Sequence, residues 1–293
     1  MFGKISLIPI IILFRIIAIL PFSILHYVSK LIYFFLFWII GYRRHVVNMN
    51  LNYALPYMPN EKFTPIAKNF YRHLSELLVE IIKGFYISSE ELNKRITLDK
   101  DSRKLLNKLS SQNKNIVLML GHYGNWEWAL LIIQKYTPLK AYSLYTSLSN
   151  KAMDKYILKK RERFGATMID ATKDKSKLRT LKSTPSILAI VGDQSPTGRN
   201  KVHNTQFLNL NTNFFIGGER IAKDLDAIVL SVNIQKLSFA NYKIYLELIT
   251  DNIQSLPLGQ MTEIYKSKLE TQIINQPEYW IWSHKRWKSS IPY

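Results

Sequence analysis

The hydrophobic positions along the chain form three kinds of pattern. Residues 5–41 are an almost continuous apolar run in which Arg15 and Lys30 are the only full charges. Between residues 60 and 84, apolar side chains recur at spacings of three and four, which predicts a helix that Gly84 ends. From residue 100 onward, short apolar runs alternate with amphipathic stretches.

That alternation predicts successive strands and helices. The expected strands are 115–120, 139–146, 166–170 and 186–193, and the expected helices are 100–112, 126–136, 149–163, 174–183, a segment from Gly217, and 259–275. Residues 227–238 and 241–250 each alternate between apolar and polar positions and are expected to pair as a hairpin. Strands that alternate with helices predict an α/β fold, with a mixed sheet flanked by helices.

The N-terminal apolar run is typical of a membrane segment. A spanning helix needs roughly 20 apolar residues, and the first half of the run reaches that length only by including Arg15, Pro9 and Pro21. We expect residues 1–44 to be a membrane-anchoring helical segment, either inserted or lying in the interface; the alternative is a pair of buried core helices. No linker divides residues 45–293, which we expect to form one domain.

Composition narrows the possible functions. The 293 residues include no cysteine, which excludes disulfides, thiolate catalysis and cysteine-ligated zinc. Forty Lys and Arg residues against 21 acidic residues give a net charge of +19. Such a charge favours an anionic partner, namely a membrane surface, an acidic substrate or nucleic acid; the alternative is a solvated basic surface. No nucleic-acid-binding module is recognisable, so we expect no nucleic acid partner.

The stretch "NIVLMLGHYGNWEWALLII" (115–133) carries the strongest candidate chemistry. His122 follows the end of a predicted strand, where α/β proteins place their sites, and Gly121 and Gly124 permit a tight turn. Asn125 is suited to cap the following helix. Because the chain reverses here, Glu127 can reach His122, and a carboxylate on one imidazole nitrogen leaves the other free as a base. The alternative is a structural histidine.

Several other chemistries lack their motifs. The chain contains no G-x-S-x-G, no H-E-x-x-H and no Walker or dinucleotide glycine pattern. A base without a protein nucleophile suggests that His122 activates a hydroxyl group of a substrate.

The residues around His122 resemble a known family. "GHYGNWEW", with H-x-x-x-x-E, is similar to the signature of glycerolipid-type acyltransferases, and more narrowly to bacterial lipid A late acyltransferases of the lauroyl/myristoyl type. Further stretches agree in order along the chain: "YRRHVVNMNLNYALPYMPNEKF", "LKKRERFGATMID", "SILAIVGDQSP" and "QPEYWIWSHKRWK". The match spans nearly the whole chain and implies a glycerolipid-acyltransferase-like fold.

The resemblance implies transfer of a fatty acyl chain from acyl-carrier protein, or from acyl-CoA, to a hydroxyl of an anionic glycolipid, a lipid A precursor. It implies the cytoplasmic face of the inner membrane and no metal or organic cofactor. His122 would be the general base, and Glu127 would orient it.

The resemblance also implies roles for other residues. Arg161 and Arg163 would hold an acceptor phosphate or the oxyanion; the alternative is a solvated helix face. Asn125 would belong to the same substrate-binding or oxyanion group. Asp193 and Gln194 fall at a strand end, where they would contact substrate or support a loop; Asp193 alone could also form an Asx turn.

Two departures leave the acceptor open. Glu127 stands where many members have Asp, and Gly192 replaces a common Pro. Acceptors such as an aminolipid or a glycosylated phospholipid therefore remain alternatives, as does a non-catalytic lipid-binding protein. The aromatic and basic C-terminus, with Tyr279, Trp280 and Trp282, suits either a membrane edge or ordinary packing.

Overall fold

The chain folds around a seven-stranded sheet flanked by helices, in a computed structural model that describes residues 7–196, 201–288 and 290–293. The strands are β1 Ile96–Leu98, β2 Ile116–Leu120, β3 Lys140–Tyr145, β4 Thr167–Asp170, β5 Ser186–Val191, β6 Val202–Phe207, β7 Leu210–Phe215, β8 Ile228–Ser238 and β9 Asn241–Thr250. The α-helices are α1 Leu7–Ile19, α2 Phe22–Phe34, α3 Arg44–Ala54, α4 Asn60–Gly84, α5 Ser89–Arg95, α6 Lys100–Ser110, α7 Trp126–Ile132, α8 Lys151–Arg161, α9 Lys175–Thr180, α10 Gly217–Asp224 and α11 Gln260–Asn275. The predicted α/β class with a mixed sheet is confirmed.

The sheet has the order β1-β9-β8-β2-β5-β3-β4. All neighbours are parallel except the predicted β8–β9 hairpin, which is antiparallel. The carboxyl ends of β2, β5, β3 and β4 therefore share one edge, where α/β proteins bind their ligands.

Period-two alternation divides the core between the two faces of the sheet. On β2, Val117 and Met119 join one buried cluster with α4, α11 and the C-terminal segment. Ile116, Leu118 and Leu120 face the other way, into a second cluster with α6 and α7. All five β2 residues are buried, so the central strand is covered on both sides, as parallel strands require.

The apolar N-terminal run forms two helices rather than one continuous segment. Pro21 precedes α2 and has an extended backbone. Because proline has no backbone N–H and its ring clashes with the preceding helical turn, α1 cannot run on into α2. Lys83 of α4 donates hydrogen bonds to the carbonyls of Ala18 (2.5 Å) and Leu20 (2.8 Å), which ties the break to the body of the protein. Residues 5 and 6 of the run lie outside the described residues.

One described helical stretch, Phe22–Ile39, is long and apolar enough to cross a membrane, and 17% of it is buried in the protein. It combines α2 with a π-helical turn, Phe35–Ile39. Length and composition alone identify it, and apolar core helices and signal sequences satisfy the same criteria.

A second hairpin, β6–β7, was not predicted. Its strands are rich in Asn and Thr, so they lack the apolar alternation on which a strand prediction depends. The turn uses Leu208 and Asn209, both with positive φ (48° and 62°). Asn adopts positive φ more readily than Leu does, so the sequence around Leu208 did not indicate a turn.

Candidate functional site

The parallel register of β2 and β5 brings His122 beside Asp193. Leu120 pairs with Val191 at the end of the two strands, and the Gly192 amide donates to the Leu120 carbonyl at 3.0 Å. Two residues beyond that pair, the next side chains in register are those of His122 and Asp193.

Three hydrogen bonds fix the Asp193 carboxylate. Its Oδ1 contacts Nδ1 of His122 at 2.6 Å. Its Oδ2 accepts from the backbone N–H of His122 at 2.9 Å and from the indole Nε1–H of Trp280 at 2.7 Å. Asp193 is 1% exposed, and burial alone would raise its pKa, but the His122 ring and these hydrogen bonds lower that pKa to about 2.

The ionised carboxylate determines the His122 tautomer. A carboxylate only accepts hydrogen bonds, so Nδ1 of His122 carries the proton and Nε2 presents its lone pair. The Gln194 side chain lies on that nitrogen, with Nε2 to Nε2 at 3.2 Å. Gln194 is exposed, so the lone pair of His122 faces the outside of the protein.

Glu127 contacts Arg161 instead of His122. Nε of Arg161 donates to Oε2 of Glu127 at 2.9 Å, and Nη2 donates to Oε1. The predicted Glu127–His122 contact is therefore corrected: Asp193 holds the imidazole, because the strand register presents it to Nδ1, and the first turn of α7 directs Glu127 toward the end of α8. Burial would lower the pKa of Arg161, but Glu127 outweighs this effect and raises it.

Arg163 does not join Arg161 in the site. Its Nη1 donates to the carbonyl of Gly84 at 2.8 Å, and its Nη2 donates to the carbonyl of Ile87. These contacts satisfy backbone carbonyls at and after the end of α4. Two residues apart along the chain, the two arginines point in different directions, so the expected substrate role of Arg163 is corrected to a structural one.

Asn125 is likewise structural. It is fully buried, its Oδ1 caps α7 by accepting from the Trp128 amide at 3.0 Å, as predicted, and its Nδ2 donates to Oε2 of Glu80 at 2.8 Å. Glu80 also accepts from the Tyr242 hydroxyl (2.7 Å) and the Ala240 amide (2.9 Å). With both ends of its amide used internally, Asn125 supports the turn and offers nothing to a substrate.

The turn itself needs Gly124. Its φ is +58°, and a Cβ there would lie 3.0 Å from Ile234. The Gly124 amide donates to the carbonyl of Tyr279 at 3.0 Å. On the other side, the ring of Trp126 meets the ring of His122 edge-on, with centroids 5.0 Å apart.

The C-terminal segment contributes residues that sequence analysis did not place in the site. Trp280, Trp282 and Trp287 are at most 2% exposed, so they form part of the core and not a membrane edge. Trp280 contacts Asp193 directly. The stretch "QPEYWIWSHKRWK" was the available signal, but no spacing rule connects position 280 to position 193.

The turn from β2 to α7 thus carries one member of each of two polar pairs. His122 and Asp193, with Gln194, form a pair that can accept a proton at Nε2 of His122. Glu127 and Arg161 form a bidentate ion pair. Within the described residues, Nη1 of Arg161 makes no hydrogen bond, so it can donate to an oxygen of a bound molecule.

Comparison with known families gives one match. A family model described as bacterial lipid A biosynthesis acyltransferase matches residues 5–289. A search of curated proteins finds no match.

Proposed function

The chain belongs to the bacterial lipid A biosynthesis acyltransferase family, and on that premise we propose that it transfers a fatty acyl chain from a carrier-protein thioester to a hydroxyl of a lipid A precursor. The observation that carries the mechanism is the His122–Asp193 pair at the carboxyl end of β2, with Nε2 of His122 facing outward. Neither a metal nor an organic cofactor has a role in this mechanism.

The proton path follows from the tautomer. The acceptor hydroxyl replaces the Gln194 amide at Nε2 of His122 and gives its proton to that nitrogen as its oxygen attacks the thioester carbonyl. The tetrahedral intermediate collapses with cleavage of the carbon–sulfur bond, and the imidazolium returns the proton to the departing thiolate. Asp193 stabilises the imidazolium through Nδ1 but takes no proton, because its pKa is held at about 2.

Arg161 supplies positive charge beside this path. Its Nη1 is available to the oxyanion or to an acceptor phosphate, and guanidinium geometry suits both. Glu127 holds the guanidinium by two parallel hydrogen bonds. In this proposal Glu127 therefore acts through Arg161, and Asp193 takes the orienting role that the family resemblance gave to Glu127.

Helix α8 offers a docking face for an acidic carrier protein. Lys151, Lys155 and Lys159 are exposed and spaced four residues apart, so they form one line along the helix. The helix ends at Arg161, which places this line beside the site. Charge complementarity of this kind favours encounter and orientation of an acidic partner.

The N-terminal helices support attachment to a membrane. Ile12, Ile16 and Ile19 of α1 and Leu31 and Trp38 of the following helical stretch are each more than half exposed. This concentration of exposed apolar side chains on consecutive N-terminal helices supports an interaction surface, because soluble monomers rarely expose large apolar patches. We place this surface in the inner membrane, with the catalytic body on the cytoplasmic side, where acyl thioesters are made.

The acceptor and the donor are tested together by a matrix of substrates. The detergent-purified protein receives an acyl-carrier-protein, acyl-CoA or acyl-pantetheine donor, and a lipid A precursor, an aminolipid or a glycosylated phospholipid acceptor. Intact-lipid mass spectrometry detects one added acyl chain. The proposal predicts transfer to the lipid A precursor, fastest from the carrier protein, and a rate lower by about 100-fold or more for His122→Ala. Transfer to another acceptor alone would replace the substrate assignment, and no transfer by folded protein to any acceptor would favour a lipid-binding protein.

A further inference from the structure

We propose that Trp280 is a positioning residue of the acyltransferase site: its indole N–H, together with the His122 backbone N–H, locks the Asp193 carboxylate so that only Oδ1 faces the imidazole. This inference rests on the proposed function for its consequence in catalysis. The geometry on which it stands is independent of that function.

The two oxygens of Asp193 have different partners. Oδ2 accepts two hydrogen bonds, from Trp280 at 2.7 Å and from the His122 backbone at 2.9 Å. Oδ1 is left to the His122 ring at 2.6 Å. Rotation of the carboxylate about its Cβ–Cγ bond would break all three contacts, so two fixed donors on one oxygen determine the direction of the other.

The scaffold holds Trp280 rigidly. Its ring packs edge-on against Trp282 with centroids 4.8 Å apart, and it also contacts Phe207. Its backbone pairs with Tyr123 in an isolated bridge. Two residues after Asp193, the Ser195 hydroxyl donates to the carbonyl of Arg286 in the C-terminal segment at 2.6 Å. The C-terminal segment thus joins both strand ends that carry His122 and Asp193.

Packing alone does not explain this contact. The other two C-terminal tryptophans are equally buried, yet their N–H groups donate to neutral acceptors outside the site. Trp282 donates to the Pro277 carbonyl at 2.5 Å, and Trp287 donates to the Thr212 hydroxyl at 2.7 Å. Among the described C-terminal tryptophans, Trp280 alone donates to a carboxylate. Trp287→Phe is therefore a matched control for Trp280→Phe.

Other charged and titratable groups face this carboxylate, and they remain in the variant. His284 and Arg286 approach from the C-terminal segment, and burial lowers the pKa of His284 to about 4 and that of Arg286 to about 10. The Tyr265 hydroxyl approaches from α11, where it donates to the Leu120 carbonyl at 2.7 Å. None of these three donates to Asp193, so the loss of the indole N–H is not compensated.

The test compares Trp280→Phe with Trp287→Phe in acyl transfer. Without the indole donor, the negative charge on the Asp193 carboxylate is less stabilised, and the His122 backbone N–H alone holds Oδ2. We expect a fall in kcat of about 10-fold or more, and an acid limb of the pH–rate profile displaced to higher pH by roughly half a unit, because the carboxylate then holds the protonated ring more strongly. Trp287→Phe leaves the position of the acid limb unchanged. Equal effects of the two variants on the pH profile, or no effect of either, would overturn the inference.

A second measurement needs neither turnover nor a tryptophan variant. Wild-type protein and Asp193→Asn protein, both with ¹⁵N-labelled tryptophan, are compared: the substitution should displace one C-terminal indole N–H signal to high field and leave those of Trp282 and Trp287 in place. If no indole signal moves, the Trp280 contact is absent. If the signal moves but wild-type protein transfers no acyl chain, the proposed function fails while the contact stands.

Discussion

Asp193→Asn is the substitution that separates the structural account most sharply from a His122–Glu127 pair. The amide is nearly the same size as the carboxylate, so packing is preserved. In the wild type, Oδ2 accepts from the His122 backbone N–H at 2.9 Å and from the Trp280 indole N–H at 2.7 Å. In the variant, the amide oxygen of the asparagine takes the place of Oδ2, because the opposite orientation would set an NH₂ group against these two N–H groups. Each buried group left unsatisfied costs about 1–3 kcal/mol, so that orientation is strongly disfavoured.

The consequence is a reversed tautomer. The asparagine NH₂ then faces Nδ1 of His122, which must accept, so Nε2 carries the proton and cannot act as a base. To return to the active tautomer, His122 would lose its hydrogen bond from the asparagine NH₂ and set its Nδ1–H against that NH₂ group. The free-energy cost is roughly 4–5 kcal/mol, which corresponds to a fall in kcat of about 1,000- to 10,000-fold. The same substitution in serine proteases lowers kcat by about 10,000-fold for this reason.

The assay is kcat for acyl transfer by mass spectrometry, with Asp170→Asn as the matched control. Asp170 is also a buried carboxylate at a strand end, 3% exposed, but its strand β4 is separated from β5 by β3. We expect the control to retain wild-type kcat once its folding is verified. An Asp193→Asn protein with kcat within about 10-fold of wild type would refute the reasoning, because the tautomer would then not depend on this contact.

Three further predictions address the other parts of the site. Glu127→Gln removes one acceptor from the bidentate pair with Arg161, so kcat/KM should fall by roughly 10- to 100-fold while the acid limb of the pH–rate profile stays at the same pH. A shift of the acid limb would instead indicate that Glu127 contacts His122. Replacing Lys151, Lys155 and Lys159 with Glu should raise KM for the carrier-protein donor and leave KM for acyl-pantetheine unchanged. The control is the same triple change on α6, where an equally spaced and exposed line is formed by Lys100, Lys104 and Lys108. Equal effects of the two triple variants would argue against docking on α8. Glu80→Gln sets an amide NH₂ against at least one of the three groups that donate to Glu80. The free energy of unfolding, measured by thermal denaturation, should therefore fall by about 1–3 kcal/mol. Unchanged stability would mean that the Asn125–Glu80 contact does not hold the turn.

Much of this architecture was predictable because it depends on local patterns. The helix at residues 60–84 follows from apolar periodicity, and the strand predicted at 115–120 follows from a short continuous apolar run. The position of His122 follows from the rule that sites lie at the carboxyl ends of strands. The cap by Asn125 needed only its place before α7.

The partners within the site were less predictable because they depend on register between distant segments. Asp193 lies 71 positions from His122 along the chain, and only the order of β2 and β5 in the sheet makes them neighbours. Glu127, five positions from His122, is close in sequence but is directed elsewhere by the first turn of α7. Strand order, which a single sequence does not encode locally, thus decided which carboxylate holds the imidazole.

The most direct test of the central claim compares the acyl-transfer rates of His122→Ala and His203→Ala. His203 also contacts a carboxylate through a ring nitrogen, with Nε2 to Oε1 of Glu263 at 2.6 Å, but it lies on the β6–β7 hairpin. With a carrier-protein donor and a lipid A precursor, the account predicts a loss of about 100-fold or more for His122→Ala and a rate near that of wild type for His203→Ala. A His122→Ala protein that transfers the acyl chain at the wild-type rate would contradict it.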